Sequence, residues 1–248
     1  LIQTKSHPFA PAKPFAKQAT ISQVPLLNAA GPAEIKDIIM SDFLQLERRG
    51  PIAILTMDRQ ESLNAIGTHE DCQNIISTFD RIRDNRGISA VILTGKGKAF
   101  SAGGNLKGMK DRNGIGVLDQ PDSTRSNYRE GVQAVIRALM DCEVPMIAAI
   151  NGHAIGLGCD LACTADIRIA AQSAQFACSF IKVGLIPGDG GAWLLQKILG
   201  YPRAAELFLA GERFDAQFAK EIGLVNDVVP DDQLLDRAIA MAERIACN

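Results

Sequence analysis

Between Val144 and Ile169 the chain reads VPMIAAINGHAIGLGCDLACTADIRI, and no other stretch restricts the possible folds as much. An apolar run of β-strand length follows Val144-Pro145 and stops at Asn151-Gly152, a strong turn signal. Gly156 and Gly158 then open a second apolar segment that carries one acid, Asp160, and closes before Asp166. A helix starting at those glycines leaves its first N–H groups unpaired at the positive end of its dipole, where an oxyanion can be held. Glycine also lets a ligand come close to the backbone, and Asp160 falls within about one turn of those amides. The same residues fit a plain strand-turn-helix, with glycines for tight packing and Asp160 as a first-turn carboxylate favoured by the dipole.

Similar units recur along the chain. Alternation in FLQLER, a Gly50-Pro51 turn and then IAILTM predict a β-hairpin with one face buried. Thr68 and Asp71 have capping-box spacing ahead of a helical stripe of Ile75, Ile76, Phe79 and Ile82. Ile88 to Thr94 is a strand, followed by the loop GKGKAFSAGGN at 95–105. Residues 111–126 are polar and glycine-rich and are expected to form a mobile loop, after which Tyr128, Val132, Val135, Ile136 and Leu139 mark a helix. Downstream, GLIPGDGGAWLLQKILG (184–200) places a single acid, Asp189, among glycines before a helix, where it is either a cap or a catalytic carboxylate. Further helices are expected around 204–209, from Asp215 and from Asp231, with a strand at Leu224 to Val229. Strands alternating with helices predict an α/β domain with a mostly parallel sheet.

Several functions are excluded by what the chain lacks. Its 26 basic and 28 acidic residues leave a net charge of −2, so no nucleic-acid footprint exists. No apolar run reaches the roughly 18 residues of a membrane span. Six cysteines without a C-x-x-C pair, and only three histidines, predict reduced, buried thiols rather than disulfides or a zinc site. The P-loop spacing is absent, and the dinucleotide pattern fails at both glycine-rich loops, with Leu161 in the third glycine's place at the second.

Residues 1–39 hold five of the eleven prolines and are expected to be an extended, disordered or vector-derived arm ahead of a domain over 40–248. The expected compartment is the cytoplasm, or an organelle matrix should that arm be a transit peptide.

Five motifs in sequence order, LNAI (63–66), KAFSAGGNL (98–106), NGHAIGLGCDLACTADIRIA (151–170), GLIPGDGGAWLL (184–195) and LAGERFDAQFAKEIGLVNDVVP (209–230), resemble the enoyl-CoA hydratase/isomerase, or crotonase, superfamily over about residues 43–248. The resemblance implies a crotonase-like spiral of repeated ββα units with a largely parallel sheet, assembled as a homotrimer or a dimer of trimers. It implies an acyl-CoA substrate, with no cofactor besides the coenzyme A that the substrate carries and with no metal. The thioester oxygen would sit in a two-amide oxyanion hole, which motif position assigns to Ala102 and Leu157. Fixed donors of this kind favour the enolate over the ground state, by about 3 kcal/mol for one donor. Ala65, Gly103, Gly104, Asn105, Leu106, Gly156 and Phe180 are the positions that would contact CoA or the acyl chain. Family members also continue into C-terminal helices that this chain does not include, so that part of the pocket is expected to be missing.

Two departures bear on the reaction. Hydratases of the superfamily use two glutamates to activate water; the first aligns with Asp160, one methylene shorter, and the second with Phe180, which cannot transfer a proton. Asp160 and Asp189 together resemble the aspartate pair of the superfamily's dienoyl-CoA isomerases and are the expected catalytic groups. Hydration and double-bond migration both stay open. The alternatives are a CoA-thioester hydrolase, using Ser101, His153 and an aspartate, or a non-catalytic acyl-CoA-binding subunit.

Overall fold

A computed structural model describes residues 43–115 and 120–248. The arm expected over 1–39 lies outside the described residues. In chain order these residues form β1 (Leu44–Arg49), β2 (Ile52–Met57), α1 (His69–Arg83), β3 (Ala90–Gly95), β4 (Ala99–Ser101), α2 (Leu106–Lys110), α3 (Pro121–Glu130) and α4 (Val132–Met140). Then follow β5 (Met146–Ile150), β6 (His153–Ile155), α5 (Leu157–Thr164), β7 (Ile167–Ala171), β8 (Gln175–Ala177) and a 3₁₀ turn (Ser179–Val183). The remainder is α6 (Gly191–Leu199), α7 (Tyr201–Ala210), β9 (Arg213–Asp215), α8 (Ala216–Glu221), β10 (Asp227–Val229) and α9 (Leu234–Ala246).

Two sheets organise these elements. The larger has the order β1-β2-β3-β5-β7-β10 and is parallel apart from the β1–β2 hairpin. The smaller has the order β4-β6-β8-β9 and is parallel apart from β9. Three times, at β3 to β4, β5 to β6 and β7 to β8, the chain leaves the larger sheet for the smaller. This repetition is the expected spiral of ββα units. Both faces of the larger sheet are covered: Leu55, Val91, Leu93 and Ala148 share one core with α1, α4 and α5, while Ile54, Ile92, Ile147 and Ile169 share a second with Leu234, Ala238 and Ala242 of α9. Burial on two sides is why β3 and β5 read as unbroken apolar runs instead of alternating.

Two asparagines brace the corner between β3 and β4. Asn64, fully buried, donates through Nδ2 to Ala99 O at 2.7 Å and Lys96 O at 3.1 Å. Asn151 accepts from Gly95 N at 3.1 Å and donates to Gly97 O at 3.0 Å and Ala99 O at 3.2 Å. Gly152 follows because a Cβ there would lie 2.1 Å from Lys98 O. The Asn-Gly turn signal thus marks a sheet-to-sheet crossing.

The capping box forms as expected, with Thr68 N donating to Asp71 Oδ2 and Asp71 N to Thr68 Oγ1, both at 3.0 Å. Arg59 adds a bidentate ion pair to Asp71 at 2.8 and 3.0 Å. Elsewhere the sequence misleads. The loop expected over 111–126 gives way at Pro121 to α3, whose polar residues carry no apolar stripe but whose proline suits the first helical turn. The helix expected from Tyr128 to Leu139 is two helices that meet at Gly131. Leu224 and Val225 are buried but precede the strand, which begins at Asp227. Among the cysteines Cys247 is exposed and Cys142 half-buried, and the other four are buried; all six are free thiols.

Candidate active site

The loop after β4 and the start of α5 meet at the smaller sheet. Ala102 N donates to Leu63 O at 2.8 Å, Gly103 N to Ser101 Oγ at 3.1 Å and Asn105 N to Ile66 O at 3.1 Å. Among the described residues the Gly104 amide has no acceptor, and neither has that of Leu157, the first residue of α5. Gly103 has a φ of +86°, and a Cβ on it would lie 2.4 Å from Ile155 O and 3.1 Å from Leu157 N. The loop is therefore pressed against the helix start, and Gly104 and Leu157 both line the cavity beside it. This corrects the expectation for Ala102, whose N–H is already spent on Leu63. The unpaired amide of that loop belongs to Gly104.

Leu63 and Asn64, with φ of +54° and +56°, are adjacent residues in the left-handed region. Asparagine tolerates this conformation, whereas leucine is strained by about 1 to 3 kcal/mol. Their carbonyls take the Ala102 amide and the Ser101 hydroxyl, the latter at 2.8 Å. Those two bonds tie the loop that presents Gly104 to the turn at Leu63 and Asn64.

Both aspartates reach the region, but only one reaches the cavity. Asp189 lines it and is 6% exposed. Asp160 is fully buried and does not line it; its Oδ2 accepts from Gly191 N at 3.0 Å while Oδ1 has no partner. The first turn of α6 is thus held by Asp160. Asp189 is not the helix cap, since Gly190 occupies that position and no side chain caps the helix. Burial lifts the Asp189 carboxyl from its usual range to about 6. Asp160 is raised well above the usual carboxyl range, first by burial and then by the charge of Asp189, with the Gly191 N–H opposing. The negative charge of Asp189 adds to burial in holding the Asp160 carboxyl toward its protonated form.

The cavity, about 600 Å³ with its open mouth included, is mainly apolar. Gln133 of α4 donates to Gly188 O at 2.8 Å and so anchors the loop carrying Asp189. Phe180 stands on the 3₁₀ turn with its ring 6.3 Å from that of Phe208, and a Cβ on Gly156 would be 3.7 Å from its Cζ.

Residues 47–248 match the family described as enoyl-CoA hydratase/isomerase. A probable mitochondrial enoyl-CoA hydratase of Dictyostelium discoideum is 37% identical over 202 residues, 81% of this chain and 68% of that one. The 1,2-epoxyphenylacetyl-CoA isomerase of Escherichia coli K12 is 36% identical over 84% of this chain and 77% of its own. The crystal structure of an enoyl-CoA hydratase from Bacillus anthracis superposes with a TM-score of 0.76 at 32% identity, covering 83% of this chain and 77% of that one. The chain belongs to the enoyl-CoA hydratase/isomerase family.

As a member of that family it is an enzyme with the crotonase fold, and its cavity holds most of the residues expected there. Ala102, Gly104, Leu106, Gly156, Leu157, Phe180 and Asp189 line it, Ala102 with its N–H turned to Leu63 O. Ala65 is buried beneath, 8% exposed, and Gly103 and Asn105 act from behind, Asn105 by accepting from Gly108 N at 3.1 Å to start α2. Ser101 is fully buried and its hydroxyl donates to Asn64 O. His153 does not line the cavity, and its Nδ1 is buried without a partner. A Ser101–His153 nucleophile is therefore not assembled. Sequence reasoning missed Leu63 and Asn64 as braces, Gln133 as an anchor and Tyr128 as a cavity residue. For the first two the LNAI motif was the available signal. Tyr128 and Gln133 gave none, because their helices read as core or loop.

Proposed function

We propose that this family member moves the double bond of an enoyl-CoA thioester, with Asp189 as the base and the amides of Gly104 and Leu157 holding the thioester oxygen. The observation that carries this reading is that Asp189 is the one carboxylate among the described residues lining the cavity. At neutral pH it is ionised, as a base must be, while its burial keeps it basic enough to take a proton from carbon. In a 3-enoyl-CoA the C2–H bond breaks, Asp189 takes the proton, and the electron pair spreads over a dienolate whose oxygen faces the two amides. Protonation at C4 then gives the 2-enoyl-CoA, with no atom gained or lost. Hydration would require a second group to hold and deprotonate water, and Phe180 stands where hydratases carry that glutamate. Asp160, behind Asp189 and outside the cavity, is in this reading a positioning residue that holds the first turn of α6 through the Gly191 N–H and touches no reacting atom.

No cofactor beyond the coenzyme A of the substrate is invoked. Incubation with 3-enoyl- and 2-enoyl-CoA in deuterated water tests the assignment. Migration of the 3-enoyl bond with deuterium uptake is the expected result, and 3-hydroxyacyl-CoA as the main product would overturn it.

The same reading includes assembly as a trimer or a dimer of trimers, in the cytoplasm or an organelle matrix. Ile186 and Leu209 are 83% and 72% exposed, and Ile181 and Val183 about half, an apolar surface suited to burial against another copy. Light scattering is expected to give a multiple of three chains, and a stable, active monomer would contradict the assembly. Among the described residues no helix is long and apolar enough to cross a membrane.

A further inference from the structure

Beside Asp189 the cavity has, among the described residues, one other titratable side chain, Tyr128 of α3. Its ring is half-buried against the core, and no acceptor is found for its hydroxyl among the described hydrogen bonds. The turn bearing it is anchored from two sides. Neighbouring Asn127 donates to Gly114 O at 2.9 Å and is bonded to His69 of α1. Past the break at Gly131, Gln133 at the start of α4 holds the Asp189 loop, so the segment that follows the phenol is tied to the loop carrying the carboxylate. Ser179, the remaining hydroxyl on the wall, is an aliphatic alcohol and a far weaker acid.

We propose that Tyr128 is a catalytic acid that delivers the proton at C4 of the dienolate, an assignment that rests on the isomerase reading above. Asp189 takes the proton from C2; the Tyr128 O–H bond breaks as the C4–H bond forms; the proton on Asp189 then passes to the tyrosinate, restoring both groups. Every proton is accounted for, and no outside reagent is needed. The electrostatics favour this order. Burial, and then the negative charge of Asp189, raise the phenol above its usual range. That charge vanishes when Asp189 accepts the C2 proton, so Tyr128 becomes a better acid at the step that needs one.

Tyr128→Phe removes a single oxygen that has no hydrogen-bond partner among the described residues, and the reaction itself reports whether the site survives. With 3-enoyl-CoA in deuterated water, deuterium entering C2 of recovered substrate measures the Asp189 step, and formation of 2-enoyl-CoA measures C4 protonation. The variant should retain C2 exchange while migration falls by about 10²-fold, the usual scale for losing a general acid. Unchanged migration would mean that Asp189 returns the proton itself, and an equal fall in both rates would make Tyr128 structural; either overturns the proposal. Wild-type enzyme that neither exchanges nor migrates the bond would instead remove the isomerase reading and this assignment together.

Discussion

Asp189→Asn is expected to lower kcat by about 10² to 10⁴-fold with little change in KM, because the amide fills the same space but cannot take a proton. In the wild type, kcat/KM should rise as pH increases through about 6, where Asp189 ionises, and the variant's residual activity should lack that limb. Stability should move the opposite way. The folded carboxyl titrates near 6 against an ordinary value of 3.8, so between those values the native state holds a proton that the unfolded chain has lost. Stability is then greatest below the unfolded value and declines as pH rises through the folded one. A shift of roughly two units corresponds to about 3 kcal/mol, so the asparagine variant should be more stable than wild type at pH 8 by up to about that amount. Chemical denaturation at pH 5 and pH 8 checks the sign. Full turnover in Asp189→Asn would refute its role as base.

Gly158→Ala should be nearly as damaging without touching an ionisable group. A Cβ at Gly158 would sit 2.0 Å from Ser101 O and 2.8 Å from Ser101 C. Those are backbone atoms of β4, so the first turn of α5 must back away from the strand that feeds the Gly104 loop. Displacing one oxyanion donor by an ångström costs about 10²-fold in rate, and overpacking of this kind costs about 1 to 3 kcal/mol in stability. Kinetics and thermal unfolding of one preparation should show both losses, with CoA affinity least affected. Gly156→Ala separates clash from conformation: its Cβ would meet only the Phe180 ring, at 3.7 Å, but its φ of +54° disfavours alanine. Wild-type activity in Gly158→Ala would show that the Leu157 amide tolerates movement and does not hold the reacting oxygen.

The segments that become strands and helices around the site were legible in the sequence, for physical reasons. A buried parallel strand needs an unbroken apolar run, as in β3 and β5, and a corner packed against backbone needs glycine, as at Gly152 and Gly158. Such requirements act on neighbouring residues and leave a local pattern. Polar α3 escaped because its first half buries almost nothing, so no apolar period marks it.

Where the individual groups of the site lie, and which of them stay unpaired, was decided only by contacts between parts of the chain distant in sequence. Motif position pointed to Ala102 as the donor; the Leu63 carbonyl, brought alongside by a strained turn, occupies its N–H, and among the described residues that of Gly104 is left unpaired. Likewise Asp160 and Asp189 are both lone acids beside glycines. The Gly191 N–H draws Asp160 beneath α6, out of the cavity, and Asp189 is left on its wall. A hydrogen bond consumes one donor and one acceptor wherever in the chain they lie, so the sequence determined which residues could serve the site, and the folded chain decided which of them remained unpaired to do so.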